Sequence, residues 1–176
     1  EYEGCSGYTG TLRIPTKVNT ISNRAFFGCS GFENELIIPN SVTSIGEYAF
    51  AGCDHITQLQ LPGLVSISEG TFYKCSALSG NLILKTGLNR IHDFAFYDCF
   101  GFDGNLSFPD SLVYIDEFAF CGCSGFKGDL NIPSKAVNIK AFAFCNCSGF
   151  DGILTLPYSI TRIYYHTFYN CKGLKG

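Results

Sequence analysis

The stretch CSGFENELIIPNSVTSIGEYAFAGC (Cys29–Cys53) decides the fold, because its text comes back along the chain. CSGFKGDLNIPSKAVNIKAFAFCNC (Cys123–Cys147) carries the same apolar columns, the same proline and the same A-F-x-x-C ending. Seven copies of F-x-x-C align, at Phe26–Cys29, Phe50–Cys53, Phe72–Cys75, Phe96–Cys99, Phe120–Cys123, Phe144–Cys147 and Phe168–Cys171. A degenerate eighth copy, Tyr2–Cys5, precedes them. From Cys5 the cysteines step by 24, 24, 22, 24, 24, 24 and 24 residues. The short unit, CDHITQLQLPGLVSISEGTFYKC (Cys53–Cys75), loses one residue before Pro62 and one after it. Outward loops tolerate such changes in length.

A 24-residue unit with fixed apolar columns cannot enclose a core alone. Stacked on its copies it buries a continuous one, which is a solenoid. Alternation in L-x-I (Leu36/Ile38, Leu106/Phe108, Leu130/Ile132) reads as a short strand with one face inward. Pro15, Pro39, Pro62, Pro109, Pro133 and Pro157 end these strands, since proline cannot donate to a ladder; Lys85 takes that place in the fourth unit. The V-x-x-I column (Val18/Ile21, Val42/Ile45, Leu112/Ile115, Ile160/Ile163) returns along the opposite wall. No segment sustains a capped 3.6-residue stripe. The expected fold is mainly β, a solenoid of about seven 24-residue coils with a parallel β-sheet on one face, short strands and turns on the other, and little helix. It should form a single domain over residues 1–176, with no evident terminal caps. Gly31, Gly101, Gly125 and Gly149 recur after C-S or C-F and are expected at turns of positive φ.

The shared text L-x-I-P-x-S-V-x-x-I-x-x-x-A-F-x-x-C resembles the BspA-like class of leucine-rich repeats, from Tyr2 to Leu174. In most units G-F-x-G-x-L-x-I places one extra residue before the strand, and only the third, with Ile56, Leu59 and Leu61, keeps the usual spacing. The resemblance implies surface-exposed or secreted bacterial and protist proteins that mediate adhesion and protein–protein contact. It implies no common enzymatic activity.

Composition narrows the function further. The chain is 46% hydrophobic and 15% charged, with 17 Phe and 10 Tyr, too apolar and aromatic for disorder. A net charge of -3 gives no reason to expect nucleic acid. No apolar run approaches the roughly 18 to 20 residues that span a bilayer, and no signal segment opens the chain. The absence of Met marks a chain processed or cut from something longer.

The cysteines are read as architecture. Cys5, Cys29, Cys53, Cys75, Cys99, Cys123, Cys147 and Cys171 occupy one column and should point inward as small apolar residues. Cys121 and Cys145 stand 24 apart and should face each other on adjacent coils, which makes them a candidate disulfide. A zinc site from Cys121, Cys123, Cys145 and Cys147 has the right ligand count, but alternate residues of an extended segment point opposite ways. His55, His92 and His166 fall in three different columns, so none recurrently activates a thiol. No carboxylate pair recurs, and neither a phosphate loop nor H-E-x-x-H occurs, so no catalytic, cofactor or metal residue is expected. Sequons at Asn105 and Asn146 fall on repeat positions with other reasons to be there.

Three surfaces could meet a partner, either a protein or a glycan, including extracellular matrix or another cell surface. Outward strand positions form two polar rows: Thr11, Glu35, Gln58, Asn81, Asn105, Asp129 and Ile153, then Arg13, Ile37, Gln60, Ile83, Ser107, Asn131 and Thr155. They read as a solvated sheet face or as a shallow binding platform. A second surface is aromatic: Tyr48, Phe94, Phe118 and Phe142 precede Ala-Phe, while Phe27, Tyr73, Tyr97 and Tyr169 follow the same phenylalanine column. These rings either pack between coils or form an exposed stripe. The ends are the third, where Glu1 and Glu3 against Lys172 and Lys175 suit head-to-tail stacking into a filament.

Overall fold

The structure is a computed structural model that describes residue 7 and residues 9–176. Twelve short strands alternate in two series along the chain. One series, Asn34–Ile37, Ile56–Gln60, Leu82–Ile83, Leu106–Ser107, Leu130–Asn131 and Leu154–Thr155, is the L-x-I text. The other, Thr20–Ile21, Ser44–Ile45, Ser66–Ile67, Arg90–Ile91, Tyr114–Ile115 and Asn138–Ile139, is the x-I that follows the V-x-x column. Every strand pair is parallel, and the described residues contain no helix. The architecture is a parallel β-solenoid of about six turns rather than the expected seven. The difference lies in the end units, each of which forms one of its two strands. At Arg13 an isolated bridge to Ile37 stands in for the L-x-I strand of the first unit, and residues 162–163 of the last unit form no x-I strand.

Each coil bonds to the next along three stretches. The x-I series gives the longest sheet, four strands from Ser66–Ile67 to Asn138–Ile139, with the isoleucines buried and in register. The L-x-I series forms three separate pairs, interrupted between Ile56–Gln60 and Leu82–Ile83 and again between Leu106–Ser107 and Leu130–Asn131. The first of these breaks falls beside the residues missing around Pro62; the second falls between units of full length. The third stretch is the A-F-x-x-C corner, a run of turns. There Phe50 N–H donates to Thr71 O at 2.9 Å, Phe72 to Ala95 O at 2.9 Å and Phe96 to Ala119 O at 2.8 Å.

The recurring letters have local causes. Proline opens a turn: Val42 N–H donates to Pro39 O at 3.0 Å and Leu112 N–H to Pro109 O at 3.1 Å. The serine of P-x-S-V ties that turn to the previous coil, with Ser41 Oγ donating to Val18 O at 2.6 Å and Ser111 Oγ to Leu88 O at 2.8 Å. The residue before Ala-Phe or Thr-Phe holds left-handed backbone throughout, with φ of 54° to 57° from Arg24 to His166.

The expectation for Gly101, Gly125 and Gly149 is corrected, since none has positive φ. A Cβ there would collide with carbonyl oxygens of the coil below: Ser76 O under Gly101, Phe102 O under Gly125 and Ser124 O under Gly149. Close approach of backbones, not turn conformation, selects glycine in this column. Gly31 likewise lacks positive φ.

The core is a file of stacked rings. Phe26, Phe50, Phe72, Phe96, Phe120, Phe144 and Phe168 follow one another at 5.2–5.7 Å, with planes within 15° of parallel. Leu and Ile from both strand series close around them.

Candidate functional site

The cysteine column lies against the phenylalanine file. Cys29, Cys53, Cys75, Cys99, Cys123 and Cys147 are buried and Cys171 is half-buried, all as free thiols. Six of the thiols make one recurring contact, each donating to the carbonyl of a phenylalanine in the coil below. Cys53 Sγ reaches Phe26 O at 3.2 Å, Cys75 Phe50 O at 3.1 Å and Cys99 Phe72 O at 3.0 Å. Cys123, Cys147 and Cys171 reach Phe96, Phe120 and Phe144 at 3.0, 3.1 and 2.9 Å. Burial pushes the Cys53 thiol up to about 12 and the thiols of Cys75, Cys99, Cys123 and Cys147 above their ordinary range. A nucleophilic thiol needs the opposite shift. Cys5 lies outside the described residues.

Cys121 and Cys145 face each other as expected of adjacent coils. Both are free thiols, 5% and 6% exposed and near enough to shift each other's titration, with no bond joining them here. Burial, followed by the neighbouring Cys145 sulfur, pushes Cys121 up to about 12. Bond formation requires a thiolate and an oxidant, and this pocket disfavours the first. Cys123 and Cys147 turn to the core instead. Among the described residues no group of three or more His, Cys, Asp or Glu is placed to hold a metal ion.

The two polar rows lie on the outer face of the L-x-I series. Glu35 pairs with Gln58, Ile37 with Gln60, Ile83 with Ser107 and Asn131 with Thr155. Ile37 is 50% exposed and Ile83 65% exposed. Thr11, Arg13, Gln58, Gln60, Asn81, Asn105, Ser107, Asp129 and Asn131 are exposed as well, and Glu35 is half-buried. Several of these side chains serve the stack. Asn81 Oδ1 accepts the Asn105 N–H and Asp129 Oδ1 the Ile153 N–H, each at 2.7 Å. Gln60 Nε2 donates to Glu35 Oε1 at 2.6 Å. Arg13, Ile37, Gln58, Ile83, Asn105, Ser107, Asn131, Ile153 and Thr155 form the remaining exposed platform.

The aromatic columns pack between coils. Phe94, Phe118, Phe142 and His166 stack at 5.0, 4.6 and 5.0 Å, and the three Phe rings are half-buried. Tyr73 and Tyr97 stack beside them at 5.1 Å. Tyr48 donates its hydroxyl to Glu69 Oε1 at 2.7 Å, and burial, then that carboxylate, push the phenol up to about 12.

One charged cluster escaped the repeat reading. Asp116, 2% exposed, lies between Arg90 Nε at 2.6 Å, Lys140 Nζ at 3.1 Å and His92 Nδ1 at 3.7 Å. His92, Asp116 and Lys140 share a column on three successive coils, and only an alignment of the coils by charge reveals it. Of the candidate end contacts, Lys172 and Lys175 are exposed, while Glu1 and Glu3 lie outside the described residues. No helix among the described residues is long and apolar enough to cross a membrane.

Known proteins match this arrangement. The family described as the BspA type leucine rich repeat region matches residues 2–124 and 89–176, in six copies. No curated protein matches the chain. Among solved structures the chain is similar to a leucine rich repeat protein of T. pallidum, at 26% identity and a TM-score of 0.77, covering 92% of this chain and 76% of that one. It is also similar in fold to a leucine-rich repeat protein from Eubacterium ventriosum, at 23% identity and a TM-score of 0.60, over 94% of this chain and 39% of that one.

Proposed function

The chain belongs to the BspA-type leucine-rich-repeat family, and on that premise we propose that it is a non-enzymatic interaction module, working at a cell surface or outside the cell. One continuous solenoid presents a protein partner with the outer face of the L-x-I strands, in an adhesive role. The supporting observation is the platform itself: Ile37 and Ile83 expose apolar side chains amid Gln58, Ser107 and Asn131 on the outer face of the L-x-I strands. Apolar anchors within a polar surround are the composition that binding hot spots favour.

The test is binding of the purified chain to immobilised extracellular matrix proteins and to whole cells. The double variant Ile37→Lys, Ile83→Lys should lose at least tenfold in affinity while keeping its melting temperature within a few degrees. Equal binding by the variant would remove the sheet face from the proposal.

A second reading is that copies continue the solenoid head to tail. It is favoured by an apolar recess of about 630 Å³ at the first coil, lined by Leu12, Ile14, Val18 and Phe26 among others, opposite exposed Ile163, Tyr165 and Tyr169 at the last. Further coils of one chain would cover the same surfaces. Light scattering at rising concentration separates the two, since only self-association grows without limit.

A further inference from the structure

The left-handed column before Ala-Phe is interrupted once. From Phe94 to His166 it is a closed stack of rings 4.6–5.0 Å apart. At Gly70, with φ of 57°, the column has no side chain. Tyr48 tilts into the vacated rung, its ring carbons standing where a Cβ on Gly70 would have to be. The tilt leaves a notch of about 540 Å³, lined by Arg24, Phe27, Glu47, Tyr48, Tyr73 and Phe94, with Asn23.

We propose that this notch is a carbohydrate site that takes a neutral pyranose unit of a glycan. A pyranose ring has an apolar C–H face and a rim of hydroxyls. It therefore suits a site with aromatic walls and a few fixed polar groups. Here Tyr48 meets Tyr73 at 6.2 Å and 62°, and Tyr73 meets Phe94 at 6.5 Å and 70°. Tyr97 covers one face of Tyr73 at 5.1 Å, Lys74 Nζ lies 5.3 Å from its centre, and Phe118 covers one face of Phe94 at 5.0 Å. The corner contacts thus leave at most one face of Tyr73 and of Phe94 to the notch. The Arg24 guanidinium lies over the Phe27 ring at 4.6 Å, holding a planar donor group beside an aromatic one. The exposed Glu47 carboxylate supplies acceptors for hydroxyl protons. Asn23 Oδ1 accepts the Glu47 N–H at 2.9 Å, which fixes the amide with its NH₂ left to donate.

Charge and backbone select among ligands. The lining carries one guanidinium and the Glu47 carboxylate, and Glu69 bonds the Tyr48 hydroxyl, so no positive field recruits a phosphate or sulfate. An extended peptide would add to a free strand edge, but the amides here are already bonded. Arg24 N–H donates to Glu47 O and Tyr48 N–H to Glu69 O, both at 2.8 Å, and Gly70 N–H to Asp93 O at 2.9 Å. The volume lies within the roughly 300–1,000 Å³ of small-molecule sites. The site is separate from the sheet-face platform and stands or falls without it.

Saturation-transfer difference NMR on the full chain tests the proposal. The probes are tri-N-acetylchitotriose, maltotriose and mannotriose at millimolar concentration, with a heparin tetrasaccharide and a proline-rich decapeptide as comparators. At least one neutral trisaccharide should receive saturation, and Tyr73→Ala and Glu47→Gln should each weaken its binding fivefold or more. Ile83→Lys, on the sheet face, should leave it unchanged. Glu47 is exposed and meets its neighbours through its backbone, so Glu47→Gln remains informative if Tyr73→Ala does not fold. The proposal is overturned if no neutral sugar receives saturation, if binding survives both substitutions, or if only the heparin fragment or the peptide binds.

Discussion

The carbonyl of Phe72 shows why a thiol recurs in this family of coils. Its oxygen accepts the Cys75 N–H at 3.1 Å from its own turn and the Cys99 S–H at 3.0 Å from the next coil, so both lone pairs are engaged. A thiol is apolar enough for a core of rings and still donates one bond. Cys99→Ala should therefore cost about 1–2 kcal/mol, combining a small cavity with a weakened acceptor, read from urea unfolding. An unchanged midpoint would mean that the S–H contact is incidental. The same burial sets a pH dependence. Cys53 is pushed to about 12 from an ordinary value of 9.0, so the unfolded chain ionises first. Its contribution is constant below pH 9 and declines as pH rises from 9 towards 12. Thiol reagents at pH 8 should leave Cys53, Cys75, Cys99, Cys123 and Cys147 unmodified until denaturant is added, while half-buried Cys171, whose thiol is lowered by its contact with Cys147, should react. The inward direction of the cysteines was legible from the period alone. The acceptor was not, because it lies 27 residues back, one coil plus one turn, and depends on the turn's shape.

At the scale of the strand, Asp116 is the exception that a consensus hides. Its Oδ2 accepts from Arg90 Nε at 2.6 Å while Oδ1 faces Lys140 Nζ at 3.1 Å as an ion pair, one cation from the coil on each side. The carboxylate is buried, whereas Arg90 and Lys140 are 39% and 32% exposed. Asp116→Ala should thus cost about 3 kcal/mol, the low end for breaking a buried pair, because the stranded cations can still reach water. Lys140→Met should cost less than about 1 kcal/mol, as half-exposed partners do. Chemical denaturation of both variants checks the asymmetry, and equal losses would contradict it. The strand text itself was readable because Leu returns in every unit and Pro in all but the fourth. His92, Asp116 and Lys140 occur once each, and averaging over coils erases them. The notch at Gly70 was missed for the same reason, being a departure from the column rather than part of it. The sheet-face rows were readable as outward positions, but not which of their side chains cap the coil above. That depends on the reach of an Asn or Asp to the next amide, as at Asn81 and Asp129.

For the whole molecule the decisive fact is how far its bonds reach. Among the described residues, side-chain hydrogen bonds between coils span 21 to 27 residues, which is always the adjacent coil and never the one beyond it. Such a stack behaves as a row of units, each coupled to its neighbours. Removing residues 124–147 deletes 24 residues and joins Cys123 to Ser148, restoring C-S-G-F in register. Phe150 then takes the place of Phe126, Phe168 that of Phe144, and Cys171 is set to donate to Phe120 O as Cys147 does now. The shortened chain should fold with the same β signature by circular dichroism. Its urea m-value should fall by about one seventh, since the surface exposed on unfolding scales with the coils removed. Deleting only residues 124–135 removes half a period and sets the x-I text of one coil against the L-x-I text of the next. Polar outward residues then meet the phenylalanine file, and that chain should not fold. If both deletions are tolerated alike, or neither is, register between identical coils is not what holds the solenoid together.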